Sequence, residues 1–186
     1  MALLWRVCFY LPGVRDPARP GHPLYVHPQQ TGRLDNPDLY RTLYASDSPA
    51  GACAEAFGSL PTWRGSMLRG RPDLPGSVRA LAGIDVPDDV APCALDDPRR
   101  LLALDLRPSL VLTRDRAVTQ AWARRLFRSQ RWAGVSWWSY YDSRWTSVGL
   151  WARDRIRLAH VETLTGLDDP ALREAAEVLC RPLPGP

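Results

Sequence analysis

The chain contains no lysine, and all 24 of its basic residues are arginine. That bias fits codon usage in a GC-rich genome. It also fits a protein that grips phosphates and carboxylates with guanidinium forks. The arginines are scattered rather than gathered in a tract, and the net charge of +4 is modest, so nucleic acid is not expected as a direct partner. No apolar run reaches the ~20 residues that a membrane-spanning helix needs, which excludes a helical span. The opening MALLWRVCFYLPG has no basic segment and is interrupted by Arg6, so it does not read as a secretory signal and a cytoplasmic protein is expected. Cys8, Cys53, Cys93 and Cys180 form no C-x-x-C pair. Zinc ligation is therefore not expected, and free thiols are. There is no G-x-S-x-G elbow for a serine hydrolase, and His22, His27 and His160 lie in ordinary contexts. A Gly-rich phosphate loop, an internal repeat and a domain boundary are all absent. One domain over 1–186 is expected, with 182–186 as a frayed tail.

What is present suits a globular fold with a real core: 186 residues, 45% of them hydrophobic. Eight tryptophans are many for this length, and Trp122, Trp132, Trp137, Trp138 and Trp145 crowd one stretch, where they read as core or wall residues. Residues 2–10 read as a strand, 11–30 as an irregular loop and 39–45 as a second strand. Ser48-Pro49 opens a helix over 49–57, with Gly58 just past its end. Residues 59–78 read as a long surface loop, of a length that suggests it covers something. Strands are expected over 79–86, 100–106 and 109–113, and a helix over 115–130. Two further strands, 146–152 and 156–163, are expected to pair through a turn at Arg153-Asp154. Asp168-Asp169-Pro170 caps a last helix. The acidic pairs Asp88-Asp89, Asp96-Asp97 and Asp168-Asp169 sit by proline and read as turn or cap residues, not as a glycosidase pair or a metal cage. Strands and helices without βαβ alternation favour an α+β fold.

Five residues stand out. Glu55 is the lone carboxylate in PAGACAEAF, on a helical stripe with Ala52 and Ala56. It is either a solvated surface group or a carboxylate reaching from a shallow wall into a cleft. Arg6 sits inside an apolar strand and must reach the rim, form an ion pair or meet an anion. Arg33 follows Gly32 in a loop, as a surface arginine or an anion ligand. Tyr44, at a strand end, is a core aromatic or a platform for a flat heterocycle. Ser139 lies among aromatics in GVSWWSYYD, as a turn residue or a hydrogen-bonding group.

Taken in order, the segments around these residues resemble the RES-domain family, named for Arg, Glu and Ser. LWRV with Arg6 is similar to its opening strand, and TGRLDNP with Arg33 to its Gly-Gly-Arg-aromatic-Asn-Pro segment. LYASDSPAGACAE with Tyr44 and Glu55 is similar to its Leu-Tyr-x-Ala strand and Ala-x-x-Glu helix, and GVSWWSYYD with Ser139 to its Gly-Ile-x-Tyr-Pro-Ser segment. The likeness runs from about residue 3 to 152. Thr31, Leu34 and Trp138 stand where the family has Gly, an aromatic and Pro. The resemblance implies an ADP-ribosyltransferase-like fold of split antiparallel sheets with flanking helices. It also implies an NAD-consuming toxin held by a helix-turn-helix antitoxin. NAD would be a substrate, with inorganic phosphate as a possible co-substrate and no metal. Glu55 would then face the ribose 2′-hydroxyl, Arg6 and Arg33 would clamp the pyrophosphate, Tyr44 would orient the nicotinamide, and Ser139 would bond phosphate or ribose. The acceptor stays open among water, phosphate and a macromolecule, the last being ADP-ribosyl transfer. The three departures leave room for a catalytically silent nucleotide-binding module.

Overall fold

The computed structural model describes residues 2–183. Its spine is a seven-stranded sheet of β1 (Ala2–Tyr10), β2 (Leu43–Ser46), β3 (Val78–Val86), β4 (Pro92–Ala94), β5 (Gly134–Trp138), β6 (Thr146–Leu150) and β7 (Arg157–Thr163). The spatial order is β4-β5-β6-β2-β1-β3-β7. Every neighbouring pair is antiparallel except β4–β5, which is parallel. The helices α1 (Pro49–Phe57), α2 (Pro98–Ala103), α3 (Pro108–Leu112), α4 (Arg116–Arg128) and α5 (Pro170–Val178) flank it. The fold is α+β with a mixed sheet.

Four of the five described helix starts follow one chemical rule, and α3 begins at Arg107-Pro108 without a side-chain cap. Ser48, Asp97, Asp115 and Asp169 each accept a first-turn N–H on a side-chain oxygen, and a proline follows three of them. The cap satisfies an orphan donor, and proline has no N–H to lose there. Proline at the first helical position explains two corrections. The apolar runs 100–106 and 109–113 suggest strands, but Pro98 and Pro108 begin α2 and α3 there. Short runs of Leu and Val do not separate the two states by periodicity, so the leading proline decides, with the Asp97 cap beside it in α2.

The expected hairpin of β6 with β7 is also wrong. β6 lies between β5 and β2, and β7 pairs with β3 at the far edge. Their burial explains the separation. β6 is buried at four of five positions and suits the sheet interior, whereas β7 carries several exposed side chains and tolerates an edge. β4 and β5 are strands the sequence does not announce. β4 is only three residues long, and GVSWW is buried on both faces and so lacks alternation.

The three larger apolar clusters hold the layers together. One joins α1 and α5 with Trp63, Leu68 and Leu81, a second joins α2–α4 with β4, β5 and Leu34, and a third fills the sheet around Leu43, Ile84 and Leu150. The stretch 59–78 is exposed over most of its length, as a surface loop should be, but it is anchored in the first cluster. It forms a 3-10 turn at Gly65–Leu68 and buries Trp63 completely, with Nε1 donating to the Phe57 carbonyl at 3.1 Å. The C-terminal segment expected to fray begins packed: Leu183 rests on this cluster, and Arg181 donates to the Gly58 carbonyl at 3.0 Å. Residues 184–186 lie outside the described residues.

One feature of the sheet positions the site. β1 pairs with β3 along its whole length but meets β2 through a single register pair, Trp5–Ser46. Beyond Trp5 the two strands part, and cavities open along the gap.

Candidate functional site

The first cavity has a volume of about 320 Å³, and its walls include Arg6, Arg33, Tyr44, Glu55, Arg116 and Trp137. Four of the five residues singled out in the sequence therefore meet in one cleft. The fifth, Ser139, lies directly behind Glu55.

Glu55 projects from α1. The helix is made of small residues because it is buried almost all round: Ala50, Gly51, Ala52, Cys53, Ala54 and Phe57 face protein. A Cβ on Gly51 would sit 2.4 Å from Ser46 Oγ, so the helix can lie this close to the sheet only with glycine there. Glu55 and Ala56 are left as its exposed residues, and both line the cleft. The hydroxyls of Ser139 and Ser147 donate to the same oxygen, Glu55 Oε1, at 2.7 and 2.8 Å. Oε2 receives no hydrogen bond among the described residues. Bonds from a hydroxyl to a carboxylate are charge-assisted, so the pair fixes the carboxylate's orientation and leaves one oxygen for a ligand. The expectation that Ser139 bonds phosphate or ribose meets a different geometry: its hydroxyl donates to Glu55, accepts from the Tyr141 N–H at 3.2 Å and is buried. Ser147 went unnoticed in the sequence. Its only signal is a buried hydroxyl in the apolar strand TSVGL, brought beside Glu55 by the β5–β6 pairing.

The opposite wall is the loop of residues 31–36, which has no regular structure and is held by buried polar groups. Asp35 accepts the Gly32 N–H at 2.7 Å and the Tyr44 hydroxyl at 2.9 Å, and that hydroxyl accepts the Leu34 N–H at 2.8 Å. Asn36 bonds Leu34, Tyr40 and Gln120 through its amide nitrogen and accepts from Arg124. Burial pushes the Asp35 carboxyl above its usual range, with the bonds from Tyr44 and Gly32 opposing that shift. Burial also pushes the Tyr44 phenol far above its usual range, with the nearby Asp35 charge adding to the shift. The Tyr44 hydroxyl is thus committed to the loop, and only its ring is offered to the cleft. Gly32 is needed because a Cβ would lie 2.5 Å from that hydroxyl and 2.6 Å from Asp35.

The cations are tethered as well. Arg33 Nη1 donates to the carbonyls of Val111 and Thr113 at the end of α3, which ties the loop to the helical layer. Its guanidinium lies 5.9 Å from the centre of the Trp137 ring. Burial lowers its pKa, Arg116 adds to that and Glu55 opposes it. Arg6 Nη1 donates to the carbonyls of Pro23 and Tyr25 at 3.2 Å each, and so anchors the 11–30 loop to β1. Arg116, at the first position of α4, also lines the cleft, and its buried Nη1 has no hydrogen-bond partner. Nothing in the sequence separates it from 23 other arginines; only the fold brings it to the cleft. Among the described residues, no group of three His, Cys, Asp or Glu is placed to hold a metal, and no helix is long and apolar enough to cross a membrane.

Among curated proteins none matches this chain. A chain of the M. tuberculosis MbcT-MbcA toxin-antitoxin complex has a similar fold, with a TM-score of 0.65 at 18% sequence identity, over 96% of this chain and 89% of that one. Arg6, Arg33, Tyr44, Glu55 and Ser139 all fall within residues 3–171, the span that matches the RES domain, and the chain belongs to that family.

Proposed function

We propose that the chain cleaves the bond between nicotinamide and ribose in NAD, and that it is the toxin of a toxin–antitoxin pair acting in the cytoplasm. The observation that carries the reading is the Glu55 carboxylate, held by two serines through one oxygen and facing cationic Arg33 and Arg116 across the cleft. Cleavage breaks the C1′–N bond, and the electron pair goes to the nicotinamide ring, which loses its positive charge on leaving. The sugar becomes oxocarbenium-like, and a fixed carboxylate beside it stabilises that charge without reorganising. Glu55 Oε2 bonds the ribose 2′-hydroxyl, Arg33 and Arg116 take the pyrophosphate, and the Tyr44 ring forms the surface against which the nicotinamide rests. Arg6 supports the clamp from the seam between β1 and β2. Ser139 and Ser147 act through Glu55 as positioning residues. The parting of β1 from β2 supports an ADP-ribosyltransferase-like arrangement of two half-sheets. The acceptor is water or inorganic phosphate, either of which attacks C1′ and gives up a proton. A helix-turn-helix antitoxin would restrain the enzyme, a role supported by family membership and by the shared fold with the MbcT-MbcA complex.

The test is incubation of purified protein with NAD, with and without phosphate, following nicotinamide and the second product. Release of nicotinamide with ADP-ribose or its 1″-phosphate is expected. No release, or Glu55→Gln as active as the parent, defeats the proposal.

A further inference from the structure

A second cavity of about 400 Å³ lies along the same gap, and Arg6, Val7, Gln29 and Tyr44 belong to the walls of both. Its remaining walls include Arg71, Asp73 and Arg79, with Thr42 on the β2 side. None of the roles above uses Thr42, Arg71, Asp73 or Arg79.

Two polar atoms here have no counterpart. Thr42 is 3% exposed, and its buried hydroxyl has no hydrogen-bond partner. Arg79 is half-buried, its Nε is buried without a partner, and its guanidinium lies flat on Phe9, 3.6 Å from the ring centre. Burial lowers the pKa of Arg79, as expected for a cation that has lost water without gaining a carboxylate. Charge in the cavity is lopsided. Asp73 is its one carboxylate, and Arg71 already holds it through a two-pronged ion pair. Arg6 and Arg79 have no carboxylate partner among the described residues. A buried hydroxyl and a buried guanidinium Nε without hydrogen-bond partners are each destabilising in the empty protein. Such groups persist where a ligand supplies the missing acceptors.

We propose that this second cavity is a binding site for a phosphate group, with Arg79 and Thr42 as its donors and Arg6 as the shared cation at its border. Two guanidiniums without a carboxylate partner suit a group that carries up to two negative charges and several acceptor oxygens. Phosphate has two sources with this chemistry: a phosphate of the nucleotide whose reacting ribose lies at Glu55, or free inorganic phosphate. The inference deepens the dinucleotide reading and rests on it for the identity of the nucleotide, but not for the binding itself.

The experiment is calorimetric titration of the parent chain with sodium phosphate and, separately, with adenosine monophosphate, which has no nicotinamide bond to cleave. Binding of at least one is expected, weakened tenfold or more by Arg79→Gln and by Thr42→Val. Thr42→Val removes a hydroxyl that bonds nothing, so its thermal unfolding should match or exceed the parent's, which separates lost binding from lost folding. Binding of phosphate alone assigns the site to the free ion, and binding of the nucleotide alone assigns it to the dinucleotide. If neither binds, or if both variants bind as tightly as the parent, the proposal is overturned. A chain that binds phosphate at this site yet leaves NAD intact refutes the cleavage reading and not this one.

Discussion

The two walls of the first cleft hold their polar groups by different means. On the α1 wall, regular structure does most of the positioning: a capped helix packed on the sheet points Glu55 outward, and two serines, Ser147 in β6 and Ser139 just past the end of β5, orient it. On the facing wall there is no helix or strand between residues 31 and 36, and a buried network of Asp35, Tyr44 and Asn36 does the work. The first wall can lose its functional groups and keep its shape, because its helix and strands are held by apolar packing and backbone bonds rather than by those groups. The second is built from its polar groups, so losing one loosens the wall and whatever it presents. Rate and stability should therefore separate on the α1 side and move together on the loop side.

The largest expected effect is on the α1 side. Glu55→Gln should lower nicotinamide release by about 100-fold or more, the scale seen when an electrostatic stabiliser is removed, with a thermal unfolding curve like the parent's. Next come the positioning serines. Hydrogen bonds to a charged group contribute roughly 1.5–3 kcal/mol, and with the second serine still holding the carboxylate the lower end applies, so Ser139→Ala or Ser147→Ala should each cost about tenfold in kcat. KM for NAD should change little, and Ser147→Thr should restore part of the rate, which a merely structural role would not predict. Equal loss of kcat and unfolding temperature in these variants would break the contrast between the walls.

On the loop side the expected effects are smaller and fall on stability. Gly32→Ala forces a Cβ against the Tyr44 hydroxyl and Asp35, and overpacking of this kind costs about 1–3 kcal/mol. Chemical denaturation should show the loss, with activity falling in parallel because Arg33 is the neighbouring residue. The smallest effect is the pH dependence through Asp35. Its carboxyl is held above the ordinary value of 3.8 by burial. As pH rises through the window between that value and the raised one, the unfolded chain gives up this proton before the folded protein does. Stability from this group is therefore present below the window and declines as pH rises through it. Asp35→Asn should abolish that slope in thermal melts taken from pH 3.8 upward, and should lower stability by roughly 1–2 kcal/mol because one acceptor of the network becomes a donor. An unchanged slope would show that the network does not depend on the carboxyl's protonation.

The α1 side was the more legible in the sequence for the same physical reason. Ser48-Pro49 announces a helix through local capping, and the spacing of Ala52, Glu55 and Ala56 along it follows from 3.6 residues per turn. The role of Arg33 was harder to read, because its partners Val111 and Thr113 lie some 80 residues away at the end of a helix whose apolar run suggests a strand. Ser139 is legible as a candidate, but its bond to Glu55 is not. A turn residue among aromatics carries no sign of the carboxylate 84 residues earlier. Ser147 and Arg116 were missed because their identities are ordinary and their importance lies only in where the sheet and α4 bring them.

Local chemistry in the chain determined the helix starts, the central strands β1 and β2, the α+β class and the outward placement of Glu55, since each depends on residues within a turn or two. Tertiary structure decided the order of the strands, the parting of β1 from β2, and the convergence of two serines on one carboxylate oxygen. It also decided which arginines face the cleft without a carboxylate. Those outcomes rest on contacts between residues far apart in the chain, and burial there sets how strongly each charge and hydroxyl needs a partner.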